Sequence, residues 1–252
     1  MPSEKIHFQG SGGTTLAGRL DHAAPPVRAT ALFAHCFTCT KDVLAASRLC
    51  ARLADAGISV LRFDFTGLGH SEGDFANTNF TSNIEDLVAA ADCLRERATP
   101  PSLLIGHSLG GAAVIAAAAR IPEARCVATI GAPFDPSHVL HQFAERRAEI
   151  EDAGEAEVLL SGATFRIREQ FIRDVSEHRL TQALGDLRRA LLVFHSPIDD
   201  TVGVENAARI FQAARHPKCF ISLDDADHLL RRRSDAVFVA DVIAAWMWKA
   251  AS

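Results

Sequence analysis

A serine set between glycines is the first chemical signal in this chain. Leu103-Leu104-Ile105 runs into Gly106-His107-Ser108-Leu109-Gly110-Gly111, a G-x-S-x-G pattern with an apolar β-type run before it and a helical pattern after it. The chemistry needs that context, because the strand must turn sharply into the helix and only small neighbours leave room for the turn. The helix N-terminus adds partial positive charge and N–H donors beside the hydroxyl. Ser108 is therefore the candidate nucleophile. A hydroxyl is a weak nucleophile until a base takes its proton, so a histidine and an orienting acid are required, in the chain order serine, acid, histidine.

Two segments supply them. His195-Ser196-Pro197-Ile198-Asp199-Asp200 follows the apolar run 191–194, and Asp224-Asp225-Ala226-Asp227-His228 follows the run 219–223. Loops beyond the carboxyl ends of parallel strands open on one edge of a sheet, so Asp199 and His228 can meet Ser108 despite large sequence separations. His228 is read as the general base and Asp199 as its partner. Asp135, Asp200 and Asp227 remain alternative acids. The loop Ala34-His35-Cys36-Phe37-Thr38 lies where a second backbone oxyanion donor belongs, and this makes the N–H groups of Phe37 and Leu109 the expected pair.

These groups must be positioned by a scaffold. Short β-type runs at 5–9, 29–35, 59–65, 103–106, 126–130, 191–194 and 219–223 alternate with helical stretches. Their apolar continuity is what a parallel sheet covered on both faces requires. Gly10 to Gly13 separate the first run from Thr15–Leu20 in the layout of a hairpin, so a mixed sheet is expected. Ser82-Asn83-Ile84-Glu85 reads as a capping box opening an amphipathic helix, and a second, nearly all-apolar helix is expected from Ser108 to Arg120. Residues 134–185 break the alternation. They hold a charged stretch and then a hairpin around Ser161-Gly162, and are expected to form a small cap inserted in one domain covering 1–252.

The 252 residues, 48% hydrophobic and 23% charged, exclude disorder and coiled coil. A net charge of -5 leaves no basic footprint for nucleic acid. No apolar run is long enough for a membrane span, and the N-terminus has no signal-type apolar region, so a cytoplasmic location is expected. Six cysteines are too sparse for a disulfide scaffold, and reduced thiols are the simplest expectation. No second Cys or His pair with zinc spacing accompanies Cys36 and Cys39, and neither a metal nor another cofactor is expected.

Together, the Gly106–Gly110 element, His35-Cys36-Phe37, Asp199 with Val202, and Ala226-Asp227-His228 resemble the α/β-hydrolase superfamily over essentially the whole chain. The resemblance implies an α/β-hydrolase fold, a mostly parallel sheet of about eight strands with helices on both faces, and cleavage of a small ester or thioester through a Ser108, Asp199, His228 triad. More narrowly, His35 to Asp42, Arg62 to Gly69 and Gly73-Asp74-Phe75 resemble a bacterial serine hydrolase module often fused to an OsmC-like domain. That second domain has no counterpart in this sequence. Cys36 stands where the superfamily pattern usually has glycine.

Two other readings remain in view. Cys36-Phe37-Thr38-Cys39 has the spacing of a redox C-x-x-C, so a thiol-dependent redox module is one alternative. A non-catalytic binding protein on a hydrolase scaffold is the other.

Overall fold

A computed structural model describes residues 2–250 other than Ser11 and Ala98. In chain order the elements are β1 (Ser3–Gln9), β2 (Thr15–Asp21), β3 (Ala29–Ala34), α1 (Leu44–Asp55), β4 (Ile58–Phe63), α2 (Phe80–Arg97), β5 (Leu103–His107), α3 (Leu109–Ala117) and β6 (Cys126–Ile130). There follow α4 (Arg147–Ala153), β7 (Glu155–Leu160), β8 (Ala163–Arg168), α5 (Glu169–Glu177), α6 (Leu180–Gly185), β9 (Ala190–His195), α7 (Glu205–Ala213), β10 (Lys218–Ser222) and α8 (Arg233–Ala250).

Eight strands form one sheet in the order β1-β2-β4-β3-β5-β6-β9-β10. The hairpin β1–β2 and the β2–β4 pair are antiparallel, and every pairing from β4 to β10 is parallel. The expected mixed, mostly parallel sheet is thus present. The inner strands are buried at every position and mostly apolar because both faces are covered, and the period of two survives as a division of labour. Leu32, Leu104 and Val127 face one core with α2 and α3, while Phe33, Ile105 and Ala128 face the other with α1 and α8. The edge strand β10 is only partly buried.

The helix α2 starts earlier than the sequence suggests. Asn79, rather than Ser82, caps it: Asn79 Oδ1 accepts from the Ser82 N–H at 2.8 Å, and the Asn79 N–H donates to Ser82 Oγ at 3.0 Å. The same reciprocal logic operates one turn upstream of the expected box, and Glu85 instead pairs with Arg120. The helix after Ser108 ends in a 3-10 turn over Ala118–Arg120.

Between β6 and β9 the chain leaves the sheet. Asp135 caps a 3-10 segment by accepting from the Ser137 N–H and Oγ, α4 stops at Gly154 in the left-handed conformation, and β7 and β8 pair with each other alone. Val158, Leu160 and Ile167 turn inward against Phe143 and Phe171, so one face of this hairpin is packed. Its charged stretch lies on the surface, with Arg147 paired to Glu151 four residues on. Among the described residues no helix is long and apolar enough to cross a membrane.

Candidate active site

The parallel strands point their carboxyl ends at one edge, and the loops there carry the residues singled out above. Ser108 sits immediately after β5 with φ 55° and ψ -126°, a left-handed backbone that non-glycine residues rarely adopt and that costs about 1–3 kcal/mol. Its neighbours explain how the turn closes. A Cβ at Gly106 would lie 2.3 Å from the Gly110 carbonyl oxygen, and one at Gly110 would lie 2.4 Å from that of His35. The turn is locked by the Ser108 N–H to Ile130 O and the Gly111 N–H to Ser108 O, both 2.8 Å.

Ser108 Oγ lies 3.0 Å from His228 Nε2, and His228 Nδ1 lies 2.7 Å from Asp199 Oδ2. Asp199 Oδ1 accepts from the N–H groups of Thr201 and Val202 at 2.9 and 2.8 Å. Burial opposes ionisation of this carboxyl, but the His228 hydrogen bond, the Val202 N–H and the His228 charge outweigh it and hold its pKa below the ordinary value. The other carboxylates named as alternatives go elsewhere: Asp135 caps its own turn, Asp200 accepts from Thr201 Oγ1, and Asp227 accepts from the Arg231 N–H.

Three buried histidines surround this line without joining it. His107 Nε2 donates to the His228 carbonyl at 2.7 Å, and burial, with repulsion from His228, lowers its pKa to about 3. His195 Nε2 donates to Val202 O at 2.7 Å, and burial lowers its pKa too. His35 Nδ1 donates to Cys36 O at 2.8 Å and is likewise lowered by burial. A neutral imidazole suits each of these positions, because each fixes a backbone carbonyl through a single N–H.

Phe37 and Leu109 come together across the serine turn, where both line a cavity of about 20 Å³. The expectation of reduced thiols is corrected here: Cys36 and Cys39 form a disulfide, and Cys50, Cys93, Cys126 and Cys219 are free. The Cys39 N–H also donates to Cys36 O at 3.1 Å, with Thr38 at φ 57°, so a tight turn brings the two cysteines together.

Sequence reasoning gave no role to the groups that hold this loop. Asp64, fully buried at the end of β4, accepts from the Lys41 N–H at 2.7 Å and from Lys41 Nζ at 2.6 Å. Arg62 donates to Lys41 O at 2.5 Å and to Asp21 and Asp42, each at 2.8 Å. Gly131 was also missed. At φ 55° beyond β6, its missing side chain leaves space within 3.2 Å of Asp199 Oδ2 and His228 Nδ1, so those two can meet over the end of the strand that separates β5 from β9. A glycine directly after a predicted central strand was the available signal. Among the described residues no group of His, Cys, Asp and Glu has the arrangement to hold a metal ion.

Residues 31–242 match the model of the alpha/beta hydrolase family. This chain is an α/β hydrolase. The hydrolase is 47% identical to the esterase domain of a Rhodothermus marinus protein, with 99% of each chain covered and a TM-score of 0.80. It is 26% identical over 202 residues to a rat palmitoyl-protein thioesterase, ABHD10, described as mitochondrial; the match covers 77% of this chain and 63% of the relative, so this chain spans less than two thirds of that protein. Est1E of Butyrivibrio proteoclasticus, solved with ferulic acid bound, shares the fold at a TM-score of 0.82 with 16% identity, over 97% of this chain and 98% of that one.

Proposed function

We propose that the chain is a serine hydrolase cleaving carboxylic esters or thioesters. One observation carries the reading: the unbroken line from Ser108 Oγ through His228 to Asp199, at 3.0 and 2.7 Å, set at the start of a buried helix. Ser108 Oγ attacks the acyl carbon while its proton passes to His228 Nε2. The imidazolium is stabilised by the Asp199 carboxylate, and the carbonyl oxygen, now an oxyanion, takes hydrogen bonds from the Phe37 and Leu109 N–H groups. Collapse expels the alcohol or thiol with the proton from His228, and water repeats the sequence on the acyl-enzyme. Each donor of that kind is worth about 3 kcal/mol of transition-state stabilisation, so the loop at Phe37 matters as much as a side chain. Residues 134–185 act as a cap over the reacting groups.

The likeness to an esterase domain and to a thioesterase supports ester or thioester carbonyls over other substrates of the fold. The test is labelling with a fluorophosphonate and turnover of nitrophenyl acetate. Wild type is expected to be labelled at Ser108 and to turn over the ester, with both lost in Ser108→Ala and both kept in Cys36→Ser and Cys39→Ser. A folded wild-type protein that neither labels nor turns over ester overturns the proposal.

A further inference from the structure

A cavity of about 580 Å³ lies beside the reacting groups and is not used in the scheme above. Its position follows from sequence neighbours: Cys36 and Thr38 flank Phe37, His107 precedes Ser108, and Leu229 follows His228, and all of these line it. The cavity wall is thus one residue along the chain from Ser108, His228 and Phe37, although none of these three lines it. The first turn of α1 forms another wall, through Val43, Leu44 and Ala45, with Leu49 deeper.

The lining chemistry selects the occupant. The aliphatic side chains are joined by the Cys36–Cys39 disulfide, which offers no N–H or O–H donor. The two histidines in the wall have already committed a ring nitrogen to backbone carbonyls, His107 to His228 O and His35 to Cys36 O. Arg231 is the charged residue of the lining, and its exposed guanidinium is 3.5 Å from Asp227. The hydroxyls of Thr38, Thr40 and Ser161 are the other polar groups of the wall; over the rest of it water meets few partners, whereas hydrocarbon replaces it favourably. The volume falls within the usual range for a small-molecule site. Leu44 and Leu229, 67% and 39% exposed, mark an apolar entrance, and Ser161 at the tip of the β7–β8 hairpin reaches the same space. Exposed leucines at the mouth of an apolar cavity suit a chain that enters from solvent.

We infer that this cavity binds an unbranched, medium-length aliphatic chain attached to the scissile ester, with the disulfide as part of its wall. The inference rests on the serine-hydrolase reading and specifies its substrate. The chain can belong to the acyl or the alcohol part, and two substrate series separate them: nitrophenyl alkanoates from acetate to octanoate, and alkyl acetates from methyl to octyl.

In wild type, kcat/KM is expected to rise about fourfold per added methylene in one series until the cavity is full. Ala45→Trp fills the space from α1, and Leu44→Trp, at an exposed position where folding is not at stake, narrows the mouth. Each is expected to leave nitrophenyl acetate turnover within about twofold and to cut the octyl-to-short ratio by about tenfold or more in the responding series. If acetate turnover persists and neither series responds to chain length, or if both variants keep the wild-type ratio, the cavity assignment is wrong while the hydrolase reading stands. Absence of Ser108 labelling and of all ester turnover in folded wild type removes both.

Discussion

Asp199→Asn isolates the electrostatic part of the proposed mechanism, because the side chain changes one oxygen to NH2 at constant shape. Three donors converge on the carboxylate: the Thr201 and Val202 N–H groups on Oδ1, and His228 Nδ1 on Oδ2 at 2.7 Å. An amide has one oxygen for these two sides. With that oxygen toward the two backbone N–H groups, the NH2 faces His228 Nδ1, which can accept only if the ring proton moves to Nε2. That tautomer presents a donor to Ser108 Oγ and is no longer a base. With the amide reversed, two N–H groups lose their acceptor in a buried site, at about 1–3 kcal/mol for each unsatisfied group.

The first arrangement is the cheaper, and it removes the base. The expected loss in kcat is about 10³- to 10⁴-fold, or about 4–5.5 kcal/mol in the barrier. Nitrophenyl acetate kinetics measure it, with urea unfolding to show that the variant is folded and fluorophosphonate labelling expected to slow in parallel. A folded Asp199→Asn protein within tenfold of wild-type kcat refutes the assignment of Asp199 as the orienting acid.

Gly110→Ala places a methyl 2.4 Å from the His35 carbonyl and 2.5 Å from that of Ala34, both backbone, so it should lower the urea midpoint and cut turnover at least tenfold; near-wild-type activity would contradict the tight-turn geometry. Acid should unfold the protein through its buried histidines. His35, His107 and His195 have pKa values lowered by burial, His107 to about 3, so the unfolded chain takes up protons from about pH 6.5 downward while the folded one does not. Stability is thus complete above pH 6.5 and falls as the pH drops toward 3, by up to about 1.4 kcal/mol per pH unit for each histidine, and urea midpoints that stay flat from pH 7.5 to 4.5 would contradict this. Asp64→Asn leaves the buried Lys41 ammonium with only the more exposed Asp42, 3.3 Å away, as counter-charge and is expected to cost about 3 kcal/mol of stability; a loss below about 1 kcal/mol in urea unfolding would show that the pair is not structural.

Local signals proved the most legible in the sequence. The glycines around Ser108 state a tight turn within five residues, and the apolar runs locate every strand of the parallel sheet, because burial on both faces leaves polar residues few places there. What depended on three-dimensional registration was not legible. Four aspartates stood near candidate loops, and the proximity of Asp199 to His228 depends on Gly131 clearing the end of β6, a contact between three loops. The disulfide was visible as a spacing, but an argument from cellular compartment outweighed it; the deciding feature is the left-handed Thr38, which nothing in the local sequence announces. The α2 cap was misplaced by one turn because Ser82 satisfies the same pattern from either end: it completes the box opened by Asn79 instead of opening one toward Glu85.

The buried charges beneath the Phe37 loop have a cost that must be met by what they position. Taking an ammonium and a carboxylate out of water is expensive, and a pair of well-packed apolar residues would often be at least as stable. Yet Lys41, Asp64, Arg62 and Asp21 are all buried together, and besides pairing with one another they hold named backbone groups: the Lys41 N–H and carbonyl, and the His70 N–H. An apolar cluster would fill the same volume while leaving the register of that backbone free to slide. Hydrogen bonds to a named N–H and a named carbonyl do not permit this, since any shift leaves a buried charge unpaired. Two residues from Lys41, the disulfide closes the turn that contains Phe37. On the proposed mechanism the Phe37 N–H must lie in place before negative charge develops, and a donor that has to reorient loses most of its worth. The stability forgone in burying those charges is therefore consistent with a loop whose purpose is to stay still.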